Sequence, residues 1–386
     1  MSICIKCRTI RGLDGLRGLA ACAVFVVHYH QIVDFDLQFG LFDSYHFFPN
    51  GKHGVALFFI LSGLLLSLPF WQSLASRTPW PIMKTYMVRR LARIFPAYYL
   101  ALTMLILMSG LWLVPGGWTD IVLHYSFLFN FTEFSIFSIN PPFWTLAVEM
   151  QFYLILPLIF CIMRRLSPWQ ACTVLLLIGL LTYGLHYWVV SSVTRIVPWP
   201  GNVALTWIRP YGAVVTHSLL AHLPLFIFGV VAGWLFIYLN QQYARHADFQ
   251  RRCSEFSFWC CLVLLFLLLS SELGEKIQVS YGRYGLPLIP LLLAVLVVST
   301  PFTLFANKIL DSTLLRRLGL ISYGIYIYHL PCLNWVDRTM QQYGWDSPEH
   351  WLVLGGSSVI LTLMIASLSY LIIERPVLNW VKSSHS

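Results

Sequence analysis

Charged side chains are scarce in this sequence, since only 11% of its 386 residues are Asp, Glu, Lys or Arg. Soluble domains carry about 25% charged residues, so a water-covered globular surface is excluded. Apolar residues make up 58% of the chain, which predicts that most of it lies in lipid. The net charge of +9 does not indicate nucleic acid, because the basic residues fall in short loops between apolar runs.

The sequence also lacks the spacing of a metal or redox centre. Cys4 and Cys7 form a lone CxxC pair with no second pair nearby. Most of the other cysteines lie inside apolar runs, where they are expected to be small buried hydrophobes. No cleavable signal peptide, internal repeat or appended soluble domain is apparent, so residues 1–386 are predicted to form one membrane domain without a metal. The missing repeat weakens a transporter built on duplicated halves.

Apolar runs of the length that a bilayer requires, about 20 residues, recur along the whole chain. They predict an all-α, polytopic bundle of about ten transmembrane helices. The segment 119–131 is apolar but short, which favours an interfacial or re-entrant piece, with an eleventh span as the alternative. The predicted spans lie near 15–33, 54–72, 94–113, 144–163, 169–190, 214–239, 256–272, 284–301, 318–336 and 351–373.

Lysine and arginine are concentrated in alternate loops. With the N-terminus in the cytoplasm, the inner segments hold about three times as many of them as the outer segments, which is a strong positive-inside bias. Both termini are therefore predicted to be cytoplasmic, as an even number of spans requires. The expected location is the inner, cytoplasmic membrane, with multiple passes through the lipid bilayer.

The first span carries two ionisable residues, Arg17 near its cytoplasmic end and His28 near its outer end. Eleven residues are close to three helical turns, so both lie on one face, about 16 Å apart. Asp14 is close enough to pair with Arg17. Ionisable groups at membrane depth are costly, which makes them functional candidates. An interfacial ion pair and a hydrogen-bonded packing histidine are an equally good interpretation of the spacing.

Two more titratable residues are predicted at membrane depth. Glu149 lies about two turns inside the outer boundary of its helix, at a depth similar to that of His28. The two could form a general-base dyad, although a structural hydrogen bond between helices explains the same pattern. His329 lies near the middle of its span, where a buried core histidine is the simpler interpretation and a substrate-lining role the alternative.

A basic segment follows the second span, in the sequence KTYMVRRLARIFPAYYL. Arg89 and Arg93 are one turn apart on the same helix face, and Arg90 is adjacent. Ordinary positive-inside anchoring explains them as well as a phosphate clamp does, although arginine forks match phosphate oxygens closely.

Six motifs in order resemble the acyltransferase-3 family of integral membrane acyltransferases. Each one alone is weak, but together they extend over nearly the whole chain. Two positions differ from the family pattern. Leu64 follows the motif GVALFFILSG where the family usually has an aromatic residue, and Met150, within FWTLAVEMQFY, stands where the family has a second acidic residue. The motifs are LDGLRGLAACAVFVVH at 13–28, GVALFFILSG at 54–63, RIFPAY at 93–98, FWTLAVEMQFY at 143–153, SYGIYIYH at 322–329 and Glu374–Pro376.

This resemblance implies transfer of an acyl group, usually acetyl, from cytoplasmic acetyl-CoA to a carbohydrate hydroxyl on the outer side. The acceptor is a saccharide or glycolipid, with lipopolysaccharide and other polysaccharides among the open choices. His28 and Glu149 are the implied catalytic residues. The arginines are implied to hold the donor, and further motif side chains to line the substrate path. The donor set is Arg17, Arg89, Arg90 and Arg93, and the lining set is Ser62, Trp144, Tyr153, Tyr323 and His329.

The expected mechanism has His28, assisted by Glu149, deprotonate the acceptor hydroxyl for attack on the thioester. An acyl-enzyme route is disfavoured because no nucleophile elbow is present and no Cys or Ser has an obvious base partner, although a transient acyl-histidine stays open. The rival function is a transporter or flippase in which His28 and Glu149 form a proton relay.

Overall fold

The computed structural model is almost entirely helical and describes residues 10–33, 38–39, 42–194, 212–271, 287–345 and 350–384. Two short strands, β1 (Gln38–Phe39) and β2 (Phe42–Asp43), pair antiparallel with Gln38 opposite Asp43. In chain order the helices are α1 (Leu13–Ile32), α2 (Ser44–Phe47), α3 (His53–Ser76), α4 (Met83–Ser109), α5 (Gly117–Tyr125), α6 (Trp144–Met163), α7 (Pro168–Thr194), α8 (Gly212–Thr216), α9 (Leu219–Ser270), α10 (Leu288–Ser299), α11 (Phe305–Leu310), α12 (Thr313–Leu320), α13 (Ser322–Gln342), α14 (Trp351–Ser369) and α15 (Arg375–Ser384).

Seven segments of the described chain are long and apolar enough to cross a membrane. A chain with this many such helices is a multi-pass membrane protein, because a helix satisfies every backbone hydrogen bond internally in lipid. The segments are Ser44–Ser76, Met83–Ser109, Pro141–Met163, Pro168–His186, Gly212–Tyr243, His246–Ser270 and Trp351–Ser384.

Three predicted spans are helical but fall outside that set. α1 and α13 contain charged or polar residues. Leu288–Phe302 is a shorter apolar helix, and residues 272–286 lie outside the described ranges. The count of ten spans and the cytoplasmic position of both termini therefore stay predictions. The 119–131 segment overlaps α5, which begins at Gly117 and has 9 residues. A helix of that length is about half of what a span needs, so the segment is not an eleventh span.

The chain divides into two compact units. The first comprises Met1–Gln72 and Phe228–Leu368, and the second comprises Ser73–Ile227 and Ser369–Ser386. α9 is broken at His246, where φ is −137° and ψ is 46°, so its two halves correspond to two of the predicted spans. The donor and catalytic candidates divide between the two units. Arg17 and His28 lie in the first unit, and the second holds Arg89, Arg90, Arg93 and Glu149.

Close backbone approaches build the first unit around α1 and α3. The hydrogen atoms of Gly15 and Gly319 allow α1 to lie directly against Leu310 and α12, because a Cβ at either position would overlap a backbone carbonyl. Gly229 lets α9 approach Ile60 of α3 in the same way. Small residues at helix interfaces are the usual means of tight packing in membranes.

Aromatic packing dominates the second unit. The Tyr98 ring on α4 lies 4.4 Å from Phe127 and 5.0 Å from Phe143, between ring centroids. The Tyr98 hydroxyl donates a hydrogen bond of 2.9 Å to the carbonyl of His124 on α5. These contacts attach the short α5 segment to α4 and to the start of α6.

Candidate active site

His28 lies in the last third of α1 and is only partly buried. Its Nδ1 donates a hydrogen bond of 2.9 Å to the carbonyl oxygen of Val24, one turn earlier in the same helix. This bond restricts rotation of the ring and directs the opposite edge of the imidazole away from the α1 backbone. The predicted general base is therefore held in one orientation while part of its side chain stays accessible.

His329 of α13 is fully buried and contacts His28 directly. Its Nε2 is 3.1 Å from Nδ1 of His28, and the ring centroids are 4.9 Å apart at an angle of 57°. Nδ1 of His329 donates to the carbonyl oxygens of Tyr326 at 2.7 Å and Ile325 at 3.1 Å. Sequence reasoning did not predict this pair, although both histidines were candidates and both end a family motif.

Packing of α1 against α13 explains why the two histidines meet. The ring of Phe25, one turn before His28, lies 6.4 Å from that of His329. Phe25 and Tyr29 also border an apolar cavity of about 430 Å³ between α1, α13 and α14, whose other walls include Ile325 and Trp351. Phe25 thus lines this apolar cavity and also lies near the ring of His329.

Arg17 lies near the start of α1 and is paired with Asp14. The distance from Arg17 Nη1 to Asp14 Oδ1 is 3.8 Å, which confirms the predicted ion pair. The carboxylate is the first acidic residue of the helix, where it also compensates the partial positive charge of the helix N-terminus. The donor-binding role of Arg17 stays a prediction.

Glu149 lies in α6 of the second unit and is fixed by a tyrosine one turn away. The Tyr153 hydroxyl donates a hydrogen bond of 2.8 Å to Glu149 Oε1. Glu149 also interacts electrostatically with Arg90 of α4, as does Tyr153. Glu149 is thus linked to Tyr153 of its own helix and to Arg90 of α4, and its dyad with His28 stays a prediction.

The arginines of α4 are not equivalent. Arg89 is exposed, whereas Arg90 and Arg93 are partly buried and interact with each other. The Arg90 guanidinium carbon lies 5.9 Å from the centroid of the Tyr86 ring, one turn away. In the described chain the buried Nε of Arg90 makes no hydrogen bond. A buried N–H without an acceptor is costly, so this atom fits an anionic ligand that supplies one.

Arg93 faces a buried carboxylate from the end of the chain. Glu374 is 4% exposed, accepts a hydrogen bond of 3.3 Å from the Ser369 hydroxyl, and interacts electrostatically with Arg93. It ends a π-helical turn, Tyr370–Glu374, that interrupts the helix between α14 and α15. The Glu-Arg-Pro motif had no assigned role in the sequence, and its acid now has a partner in α4.

The five predicted lining residues divide between the two units. Ser62 and Tyr323 are partly buried members of the first unit. Tyr153 is 2% exposed. The Trp144 ring lies 4.6 Å from His217 and 4.8 Å from His222, so the start of α6 carries an aromatic and imidazole cluster. The fifth, His329, is fully buried. No described contact tests whether any of the other four touches a substrate, and their lining role stays a prediction.

Comparison with protein families matches residues 10–368 to the acyltransferase 3 family, described as an acyltransferase domain. Nearly the whole described chain lies within that match. It includes Arg17, His28, the α4 arginines, Glu149 and His329. Among solved structures, none matches this chain.

Several curated proteins are similar at low identity. The chain is 26% identical to the peptidoglycan O-acetyltransferase OatA of Listeria monocytogenes, over 95% of this chain and 56% of that protein. It is 25% identical to the putative peptidoglycan O-acetyltransferase YrhL of Bacillus subtilis, over 96% and 55%. It is 22% identical to the O-acetyltransferase OatA of Staphylococcus aureus, over 96% and 57%. The chain spans a little over half the length of these relatives.

Proposed function

The chain belongs to the acyltransferase 3 family, and from that membership we propose that it is a membrane O-acyltransferase of the cytoplasmic membrane. The donor is acyl-CoA, with acetyl-CoA the first choice, and the acceptor is a carbohydrate hydroxyl at the outer side. The observation that carries the proposal is His28, a partly exposed imidazole held through Nδ1 on the helix that opens the family match.

The reaction needs a group that accepts a proton from the acceptor hydroxyl. His28 takes that proton as the hydroxyl oxygen attacks the thioester carbonyl. The new C–O bond of the ester forms, the C–S bond of the thioester breaks, and the thiolate receives the proton from His28. Atoms and charge therefore balance without an oxidant or a metal ion. Glu149 is the second proposed catalytic residue, and its hydrogen bond from Tyr153 supports a fixed carboxylate at that position.

Donor binding is assigned to Arg17, Arg89, Arg90 and Arg93. Support is strongest for Arg90, because its buried Nε lacks an acceptor in the described chain and a phosphate oxygen would provide one. Arg93 lies beside Arg90 and offers a second guanidinium. Planar guanidinium groups bind phosphate in a bidentate way that ammonium groups cannot reproduce.

The names of the relatives favour peptidoglycan as the acceptor. Two of them are named peptidoglycan O-acetyltransferases, and the third is named an O-acetyltransferase. We therefore propose a glycan of the cell envelope as the acceptor, with peptidoglycan placed ahead of lipopolysaccharide. The sugar hydroxyls of such a glycan are nucleophiles that a histidine general base can activate by accepting their proton.

Purified protein in detergent, given acetyl-CoA labelled in the acetyl group and soluble peptidoglycan fragments, tests the proposal. We expect release of free CoA thiol together with label in the saccharide, and a loss of both by about 100-fold or more in His28→Ala. A transporter or flippase would release no CoA thiol, and in sealed vesicles it would instead move a glycolipid or an anion across the bilayer. That result would overturn the proposed function.

A further inference from the structure

His28 and His329 meet through specific nitrogen atoms, and the identity of those atoms fixes where the protons lie. Nδ1 of His329 faces the carbonyl oxygens of Tyr326 and Ile325. A carbonyl oxygen can only accept, so Nδ1 of His329 must carry the hydrogen. In a neutral imidazole the other nitrogen, Nε2, is then an acceptor.

Nδ1 of His28 obeys the same constraint. It lies 2.9 Å from the carbonyl oxygen of Val24, which again can only accept a hydrogen bond. It also lies 3.1 Å from Nε2 of His329. Two N–H groups cannot face each other at that distance, so Nε2 of His329 accepts and Nδ1 of His28 donates. Both neighbours therefore select the same tautomer of His28, with its lone pair on Nε2.

From this chain of bonds we infer that His329 is the positioning residue of the reaction, which keeps Nε2 of His28 unprotonated and accessible as the general base. The inference rests on the proposed function and deepens it. His329 itself does not touch the substrate, because it is fully buried and both of its nitrogens are within hydrogen-bond distance of protein atoms.

The same contact also acts after proton transfer. When Nε2 of His28 takes the proton from the acceptor, the ring becomes a cation whose Nδ1–H is still shared between the Val24 carbonyl oxygen and Nε2 of His329. A hydrogen bond from a charged donor is shorter and roughly twice as strong as a neutral one. The contact is thus stronger in the transition state than in the resting enzyme, which is the condition for catalysis. In serine hydrolases a carboxylate performs this role for histidine, and here a neutral imidazole occupies its place.

Two amide substitutions at position 329 test the two ring nitrogens of His329 separately. In His329→Gln the side-chain carbonyl reaches the position of Nε2 and can accept from His28. In His329→Asn the amide reaches only the position of Nδ1, so it can donate to the Tyr326 carbonyl but does not reach His28. The inference predicts that Gln keeps most of the transfer activity. Asn and Leu should lower kcat by at least about 100-fold with an unchanged KM for acetyl-CoA.

A role in folding alone gives a different pattern. If His329 only packed α13, Asn would restore the bond to the backbone and would retain more activity than Gln. That order, or equal activity in Gln, Asn and Leu, overturns the inference. Thermal unfolding of each purified variant in detergent identifies those that are folded. Wild-type transfer measured alongside separates failure of the inference from failure of the proposed function.

A second measurement covers a variant that fails to fold. In a His28→Ala background, any folded His329 substitution should leave the residual transfer rate unchanged, because His329 acts through His28. A further loss of 10-fold or more in that background would show that His329 acts independently, and would overturn the inference.

Discussion

Gly319 of α12 lies directly against the carbonyl oxygen of Asp14 in α1, so close that a Cβ atom at position 319 would overlap it. Asp14 is the residue that pairs with Arg17, and α1 also carries His28. The contact therefore fixes the helix on which two of the candidate residues lie. No flexible side chain is involved on either side, so the overlap cannot be relieved by a change of rotamer.

Gly319→Ala should destabilise the first unit. Overpacking of a tight contact typically costs about 1–3 kcal/mol in the free energy of unfolding, and backbone atoms on both sides leave little room to relax. Thermal unfolding in detergent measures the effect. Gly356→Ala is the matched control, since nothing lies within 4 Å of a Cβ there, and its melting temperature should not fall. Equal stability of the two variants would contradict the close contact.

Arg90→Ala and Arg93→Ala should each raise the KM for acetyl-CoA by about 10-fold. Each substitution removes a hydrogen bond between a guanidinium group and a donor phosphate, which contributes about 1.5 kcal/mol. The KM for the saccharide should not change, because the proposed contact is with donor phosphate. Initial rates at varied donor and acceptor concentrations measure both constants. Arg164→Ala removes an exposed arginine of the same unit and serves as the control. If only the KM for the saccharide changed, the assignment of Arg90 and Arg93 to donor binding would be wrong.

Glu149→Gln should lower kcat by about 10-fold or more, because the amide cannot replace a fixed carboxylate in charge. Tyr153→Phe removes the hydrogen bond to Glu149 Oε1 and keeps the ring, so it should lower kcat in the same direction by a smaller factor. Single-turnover rates at saturating donor give the comparison. Wild-type kcat in Glu149→Gln would remove Glu149 from the catalytic group.

Asp120 makes the stability of the α5 segment depend on pH. Burial raises the pKa of its carboxyl, but hydrogen bonds from His124, Ser135 and Ser138 outweigh that effect and hold the pKa below its ordinary value. A carboxyl with a lowered folded-state pKa stabilises the fold above its unfolded pKa, and the stabilisation is lost as the pH falls through the folded-state value. The window is therefore acidic, below about pH 4.

Asp120→Asn should lower the free energy of unfolding near neutral pH by about 1–3 kcal/mol, because the partner groups lose their charged acceptor. The variant should also lose less stability than the wild type as the pH falls. Melting temperatures recorded from roughly pH 3 to pH 7 test both effects. Asp248→Asn is the control, because the side chain of Asp248 is 82% exposed in its ion pair with Arg251. If the melting temperature fell equally towards acid in Asp120→Asn and in the wild type, the pH dependence would not come from Asp120.

Helical class and most helix positions could be predicted from the sequence, but helix ends could not. The predicted third span begins at residue 94, whereas α4 begins at Met83. Hydropathy counts only the part of a helix that lies in lipid, and arginine and lysine continue a helix readily. The same helix ends at Gly110, where φ is 63°, because glycine adopts this left-handed C-terminal conformation without strain.

The candidate site was predicted residue by residue rather than as a set of contacts. Spacing within one helix placed Arg17 and His28 on one face and Asp14 close to Arg17, and the Asp14–Arg17 pair is confirmed. The contact of His28 with His329 joins residues 301 positions apart. It depends on the approach of α1 to α13, which a hydropathy pattern does not contain. The interaction of Glu374 with Arg93 was missed for the same reason, since Arg93 lies in α4.

The most direct test compares cell-envelope glycans from cells that carry the wild-type protein, His28→Ala or no protein. Mass spectrometry of peptidoglycan fragments should show an acetyl-sized addition on a sugar hydroxyl with the wild type alone. His28→Ala should be present in the membrane at the wild-type level and give the unmodified spectrum. An acetylated glycan in cells with His28→Ala, at the wild-type level, would contradict the assignment of His28 as the base.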